Sequence, residues 1–444
     1  MIQPGSVHVG RGERALPRRV AGDRGWLLAC ALAIILVAVP VLATAGERVT
    51  ERDMEQVEAM ILRVKPAVVG ILTEVRGEVN IRCGKNDTYV VKPEPEMENG
   101  TGFIIHPGGW IATNGHVVKP VYKDDEEHIA TFLQAAADAA CGPGLAKLPA
   151  KQRQARREAI LKDPENRKGV RLFKRLDVFF QKRVAPGASV PPGVPAVVMA
   201  YSPPIDPSLL PKGGAVPPKG KQMLDGAIIK IEMADLPTVP LAGRATHIHL
   251  GESLHIIGYP GAVLWHDFLS TESRGAASVT FGRISGFKLD INDRWVIQTD
   301  ASISWGNSGG PAFNRNGEVI GLATFITTSV EGDQAIQGFN FLIPVQTIQQ
   351  MATDIGLTPK AGDPFTQTWE QAIAAYFQGD YPRALERLEA ADKLLPGLWD
   401  VQRLRGLLTD LIEFQPEITP AAAESAVRGE ATRQHAAADA GASW

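Results

Sequence analysis

Between residues 50 and 355 the chain is cut into short apolar runs by turn-forming residues. AVVGILTEV (67–75), GFIIH (102–106), GAIIKIE (226–232), SLHIIGYP (253–260), RWVIQTD (294–300) and EVIGLATFI (318–326) are rich in β-branched side chains and bounded by Gly, Pro, Asn and Asp. Branched side chains fit a pleated, half-buried surface, so this punctuation predicts many short strands closed into a barrel or sandwich. Helix-like pattern is confined to 51–64, to about 125–183, and to the chain after 362. A length of 444 residues exceeds one ordinary core and predicts two or three domains. With 44% apolar and 21% charged residues the composition is that of a soluble globular protein. A formal net charge of -3 gives no overall pull toward nucleic acid.

Residues 26–45 form an uncharged apolar run preceded by Arg11, Arg14, Arg18, Arg19 and Arg24, with Pro40 and then Ala43-Thr44-Ala45 at its end. A basic flank, an apolar stretch and a small-residue site are the order of a secretory signal. The same run is about long enough to span a bilayer. Residues 1–45 are therefore expected to be a cleaved signal peptide or a membrane anchor, and membrane contact is expected only if the segment stays uncleaved. In both cases the body is exported, to the periplasm or the extracellular side. Past the leader, Cys83 and Cys141 face an oxidising compartment, where a disulfide and two free thiols are both open readings.

Three pieces of chemistry stand in chain order. His116 follows a strand end in ATNGHVV, Asp225 precedes a strand in LDGAIIKI, and Ser308 sits inside GNSGGP. A serine hydroxyl is a poor nucleophile near neutral pH, so it needs a base within reach, and the base needs a third group to fix its tautomer. His116 has the chemistry of the base and Asp225 that of the orienting acid. Asp225 alone also reads as a turn residue or cap. Glycines around the serine leave room for backbone N–H groups to face a developing oxyanion, and the expected donors are the amides of Gly306 and Ser308. No metal-ligand spacing is recognisable, and no cofactor is expected.

GTGFIIHPGGWIATNGHVV (100–118), DGAIIKIE (225–232), LHIIGYPGA (254–262), VTFGRISG (279–286), QTDASISWGNSGGPAFNRNGEVIGLATF (298–325) and GFNFLIPVQT (338–347) together resemble the successive signatures of the HtrA/Deg group of trypsin-like serine proteases. The resemblance covers roughly 50–120 and 220–350. It implies a mostly β chain of two six-stranded antiparallel barrels with the triad His116, Asp225 and Ser308 in their cleft, within a protease domain at 50–355. It further implies that Ser302, six positions before the nucleophile, lies at the floor of the primary specificity pocket. Without a carboxylate there, a buried Lys or Arg lacks its counter-charge, which favours small or medium apolar residues. Thr324, Phe325 and Ile326 are expected to form the edge strand that pairs with an extended substrate. Asn307 stands where secreted zymogens of this fold carry an aspartate, so activation by a new amino terminus is not expected, because an amide cannot make that ion pair. Trp305 stands where the family has Pro or Arg, and the sequence offers no role for it.

The chain departs from the family at 121–220, read as an insertion that is helical and basic through NRKGVRLFKRLDVFFQKR and then Pro-rich and extended. The basic part reads as a solvated helical face, or more sharply as a patch for anionic lipid or an acidic partner. After 362, TWEQAIAAYFQGDYPRALERLEAADKLLP (368–396), with Ala372, Ala384 and Ala391, resembles one tetratricopeptide repeat. The segment 362–414 is thus expected to be α-helical and to dock on the protease or a protein partner, or to be a plain hairpin. Residues 415–444 read as a disordered tail, and no PDZ domain is recognised. The expected function is exported serine endopeptidase acting on polypeptides in protein quality control or regulated proteolysis, with a homo-oligomer as an open option. The alternatives are a catalytically silent peptide-binding or chaperone-like scaffold, and an esterase using the same site.

Overall fold

The computed structural model describes residues 51–84, 87–188, 190–204, 224–243, 247–290, 292–328 and 335–414. The leader at 1–45 and the tail at 415–444 lie outside them. Among the described residues no helix is long and apolar enough to cross a membrane.

The chain enters through α1 (Glu51–Val64) and a 3-10 turn at Lys65–Ala67, then runs into β1 (Val68–Arg82), β2 (Thr88–Val91), β3 (Glu96–His106) and β4 (Trp110–Thr113). Helix α2 (Gly115–Tyr122) follows, then α3 (Asp125–Ala136), a π-helical turn at Ala137–Cys141, α4 (Gly142–Leu145), α5 (Ala150–Lys162) and α6 (Pro164–Lys168). Next come β5 (Val170–Phe179), β6 (Gly193–Ser202) and β7 (Gly226–Ile231). The antiparallel order β1-β3-β4-β7-β6-β5 closes where β5 pairs with β1, giving a six-stranded barrel with β2 appended to the far end of β1. The second barrel is built from β8 (Ser253–Gly258), β9 (Ser278–Leu289), β10 (Trp295–Thr299), β11 (Pro311–Phe313), β12 (Val319–Thr328) and β13 (Ala335–Pro344), with the short α7 (Gly261–Leu264) between β8 and β9. It closes in the order β10-β13-β12-β11-β8-β9. Closure removes the open sheet edges that a half-formed barrel would expose. Two barrels of six antiparallel strands are what the motif order implies.

The span 121–220 is not one insertion. Its helical part ends with α6, and β5 and β6 supply two of the six strands of the first barrel. The expectation of a basic helix through 170–179 is corrected. Along β5 the burial pattern ends in four buried residues, Leu176 to Phe179, while Arg171, Lys174 and Arg175 make ion pairs outside the barrel. Cationic heads on long stems disguised a strand as a charged helical face. The Pro-rich stretch is likewise strand from Gly193 to Ser202.

Helices α3 to α6 cover a second apolar cluster, in which Val75, Val79 and Ile81 of β1 meet Phe132, Leu133 and Ile160. Gly77 makes this possible, since a Cβ there would lie 2.5 Å from the Phe132 ring. Cys83 and Cys141 are joined by a disulfide across a sequence separation of 58 residues, which settles the open reading of the two thiols. Closing a loop of that length stabilises the fold by about 4 kcal/mol in the chain-entropy account. Replacing both cysteines by serine is therefore expected to lower the urea midpoint markedly and to steepen the denaturant slope, because the unfolded chain is released from its loop and exposes more surface. An unchanged midpoint would mean that the cluster beneath the bridge holds the helices unaided.

Helix α8 (Gln346–Asp354) follows β13 and sets Ile348 and Met351 beside Gly226 of β7 in the first barrel, and α9 (Pro364–Phe377), α10 (Tyr381–Leu394) and α11 (Trp399–Phe414) complete the described chain. Ala372, Ala384 and Ala391 are buried where these helices approach one another. The trio is sewn to the lead-in of the first barrel and to the chain just past the end of β5: Trp369 donates from Nε1 to the Leu62 carbonyl at 2.7 Å, Lys65 pairs with the buried Asp400 at 3.1 Å, and Trp399 N–H donates to the Gln181 carbonyl at 2.7 Å.

Candidate active site

His116 is the second residue of α2, and the helix turn that follows β4 aims it into the cleft. Asp225 lies immediately before β7, which pairs with β4 from Thr113↔Ala227 onward, so the barrel register brings acid and histidine together. The Asp225 carboxylate is 1% exposed and accepts three kinds of donor. His116 N–H reaches Oδ1 at 2.9 Å, His116 Nδ1 reaches Oδ2 at 2.9 Å and Oδ1 at 3.1 Å, and the Thr324 hydroxyl reaches Oδ2 at 2.6 Å. With a carboxylate on one side, Nδ1 carries the imidazole proton and Nε2 keeps its lone pair.

Asp225 adopts a left-handed backbone, φ 47°, which costs a non-glycine residue about 1–3 kcal/mol. The conformation is held by hydrogen bonds from Asp225 N–H to the Pro203 carbonyl at 3.0 Å and from Asn114 Nδ2 to the Asp225 carbonyl at 2.9 Å. Burial pulls the His116 pKa down, but the charge and hydrogen bond of Asp225, with a smaller contribution from Glu98, outweigh it and leave the imidazole above its ordinary value.

Ser308 lies in the loop before β11, and its carbonyl accepts from Thr101 N–H at 2.8 Å. The other loop carbonyls also turn into the protein. Trp305 O accepts from Gly261 N–H at 2.7 Å, Gly306 O from the Thr101 hydroxyl at 2.6 Å, and Asn307 O from Gly310 N–H at 2.8 Å. In a trans peptide the N–H points opposite to the carbonyl. Tying down the carbonyls of Trp305 and Asn307 therefore turns the N–H groups of Gly306 and Ser308 away from those anchors. Gly306 holds φ +96°, and a Cβ there would meet Asn99 Nδ2 and Tyr259 O at 2.4 Å each. Gly306→Ala is thus expected to displace the loop and lower kcat by about 10²–10³-fold. The result to look for is a fall in kcat with little change in KM; full activity would show that this amide donates to nothing in the reaction.

The substrate-binding candidates divide. Ser302 is exposed, while its neighbour Ile303 is buried. Thr324 is buried, and its side chain serves Asp225. The side chains of Phe325 and Ile326 lie outside the described residues, but their backbone belongs to β12, which past Leu322 pairs only with β13 among the described strands. The Trp305 ring is 66% exposed, and only its carbonyl is engaged in the loop. Asn307 is buried, its side chain lying against Gly258. Thr101 and Asn114 lie within the motifs GTGFII and TNGH, Asn114 two positions before His116, but nothing in the spacing marks either as part of the site. Among the described residues no group of His, Cys, Asp and Glu is placed to hold a metal ion.

Residues 100–322 match the model of the trypsin-like peptidase domain, a stretch that makes up half of the chain. The chain belongs to the trypsin-like peptidase family. Its relatives include "Probable periplasmic serine endoprotease DegP-like" of Pseudomonas fulva, 35% identical over 139 residues, covering 31% of this chain and 26% of the relative. "Serine protease HTRA1A" of Danio rerio is 35% identical over 130 residues, covering 29% of this chain and 24% of the relative. "Serine protease HtrA-like" of Staphylococcus haemolyticus is 32% identical over 139 residues, covering 30% and 20%. The similarity thus spans about a fifth to a quarter of each of these relatives' own length, and their names bear out the HtrA/Deg resemblance of this trypsin-like domain. The serine endoprotease of Yersinia pestis superposes with a TM-score of 0.34 and 19% identity over 67% of this chain and 65% of that one. That likeness is too loose to define the fold, which rests on the two closed barrels.

Proposed function

We propose that this trypsin-like domain is an exported serine endopeptidase that cleaves polypeptides through an acyl-enzyme. Ser308 is the nucleophile, His116 the general base and then acid, and Asp225 the group that fixes and stabilises the imidazole. The observation that carries the reading is the buried Asp225 carboxylate receiving the His116 backbone N–H, its ring Nδ1 and the Thr324 hydroxyl, in a domain where the carbonyls of Trp305 to Ser308 are tied down. The N–H groups of Gly306 and Ser308 are the oxyanion donors. Ser302 carries no carboxylate, so a cationic residue on the acyl side would find no counter-charge at that position. The edge of β12 at Thr324 to Ile326, unpaired among the described strands, takes the extended substrate as an added strand. Asn307 makes the site independent of amino-terminal trimming. Export is supported by the leader pattern and by a relative named as periplasmic. A tetratricopeptide-like role for 362–414, toward a protein partner, is supported by the small residues at the helix contacts.

The test is labelling of the purified protein by a fluorophosphonate probe, beside His116→Ala and Ser308→Ala, with casein degradation followed in parallel. Labelling confined to the wild type, with casein cleavage, supports the endopeptidase. Equal labelling of wild type and Ser308→Ala overturns the mechanism. Labelling and ester turnover without peptide cleavage would point to an esterase instead.

A further inference from the structure

A cavity of about 600 Å³ opens beside the loop that carries Ser308, on the side of the first barrel. Leu72, Met97, Val190 and Trp265 give it apolar walls, and Glu98 and Asn99 of β3 with Glu74 of β1 contribute polar surface. Two arginines also line it, and both are already matched: Arg76 donates to Glu74 at 2.7 Å, and Arg175 pairs with Asp177. Glu98 differs, since among the described residues its carboxylate has neither an ion pair nor a hydrogen bond. Burial raises its pKa, opposed by the charge of His116. A half-buried carboxylate without a partner is costly to keep unless something else supplies the counter-charge.

The cavity's place relative to Ser308 says which part of a substrate it meets. Asn99 lies against the oxyanion loop, for a Cβ on Gly306 would be 2.4 Å, and one on Gly261 3.6 Å, from its Nδ2. The edge of β12 that is free among the described strands lies on the second barrel, whereas the cavity is walled by β1, β3 and β5 of the first, with Val190 and with Trp265 after α7. An extended peptide whose acyl half pairs with β12 and whose scissile bond lies at Ser308 therefore runs out over Asn99 and Glu98.

We propose that this cavity receives the side chain of the first or second residue after the scissile bond, and that Glu98 makes it selective for lysine or arginine. This rests on the endopeptidase reading. An aliphatic stem lies along Leu72, Met97 and Trp265 while the cationic head reaches the Glu98 carboxylate, and the indole face adds attraction for the cation. An apolar side chain fills the walls but leaves Glu98 unpaired, and an acidic one meets like charge.

The experiment uses the full chain and peptide sets that differ only in the two positions after the cleavage site, with Lys, norleucine or Glu at each. Within one enzyme the ratio of kcat/KM for Lys over Glu is the readout, which cancels any general loss of rate. The wild type is expected to favour Lys by tenfold or more, Glu98→Gln to reduce the ratio to within about threefold of unity, and Glu98→Lys to invert it. A wild type that cleaves without preference, or a Glu98→Gln variant that keeps the full preference, overturns the proposal. Fluorophosphonate labelling of the same preparations separates the two levels. A labelled enzyme that cuts peptides indifferently sinks only the role of Glu98, whereas one that is not labelled at Ser308, or cuts no peptide, removes the endopeptidase reading and this proposal with it.

Discussion

Ser308→Ala is expected to lower kcat for peptide hydrolysis by about 10⁶-fold, leaving KM almost unchanged. The size follows from what the hydroxyl does: without it no acyl-enzyme forms, and what remains is binding plus the oxyanion donors, which together leave about 10³-fold or more over water. The substitution deletes one atom and disturbs nothing that holds the loop, because Ser308 is anchored through its backbone carbonyl to Thr101 N–H and not through its side chain. The variant should therefore unfold at the wild-type temperature. Steady-state rates on a quenched peptide, beside a thermal melt, check both halves. A loss under tenfold in a well-folded variant would show that another group attacks the substrate.

Asp225→Asn is expected to cost about 10⁴-fold in kcat with the fold retained. The carboxylate receives His116 N–H, His116 Nδ1 and the Thr324 hydroxyl, all as an acceptor. An amide must place its NH₂ toward one of them, and if it faces Nδ1 the imidazole proton moves to Nε2, where the lone pair is needed to take the proton of Ser308. The pH profile gives a second reading. The base works only when neutral, so activity is lost as pH falls through the His116 pKa, and in the wild type that limb lies above the ordinary imidazole range because Asp225 outweighs burial. Removing the carboxylate leaves burial in command and moves the limb to lower pH. A variant with reduced rate but an unmoved acid limb would show that Asp225 does not govern the imidazole.

The site was more legible in the sequence than the barrel that carries it. His116, Asp225 and Ser308 could be picked out because each chemical role demands a particular side chain within a short motif. Asp225 meets His116 across 109 residues, and the plain strand after it, GAIIKI, is what singled it out in the sequence. By contrast β5 and β6 were hidden, one by arginines and lysines whose stems lie on a strand, the other by flanking prolines. Pattern along the chain reports what a residue is, whereas their strand character came from pairing with β1 and β7, partners distant in sequence. The same limit explains Thr324. The motif supported a backbone role on the substrate edge, but its side chain points to Asp225, 99 residues away. Thr101 is a parallel case: its hydroxyl accepts from Tyr259 N–H and donates to Gly306 O, a bridge that no spacing rule announces.

The ion pair between Lys65 and Asp400 has a consequence in time as well as space. Lys65 stands just ahead of the first barrel's opening strand, yet its partner is made 335 residues later. During synthesis the opening strand of the catalytic body leaves the ribosome with its anchor still unbuilt. Contacts of such long range are slow to form. The helices that supply Asp400 and Trp369 thus act as a closing clasp, and the nascent chain cannot draw that clasp shut until the last of them has been made.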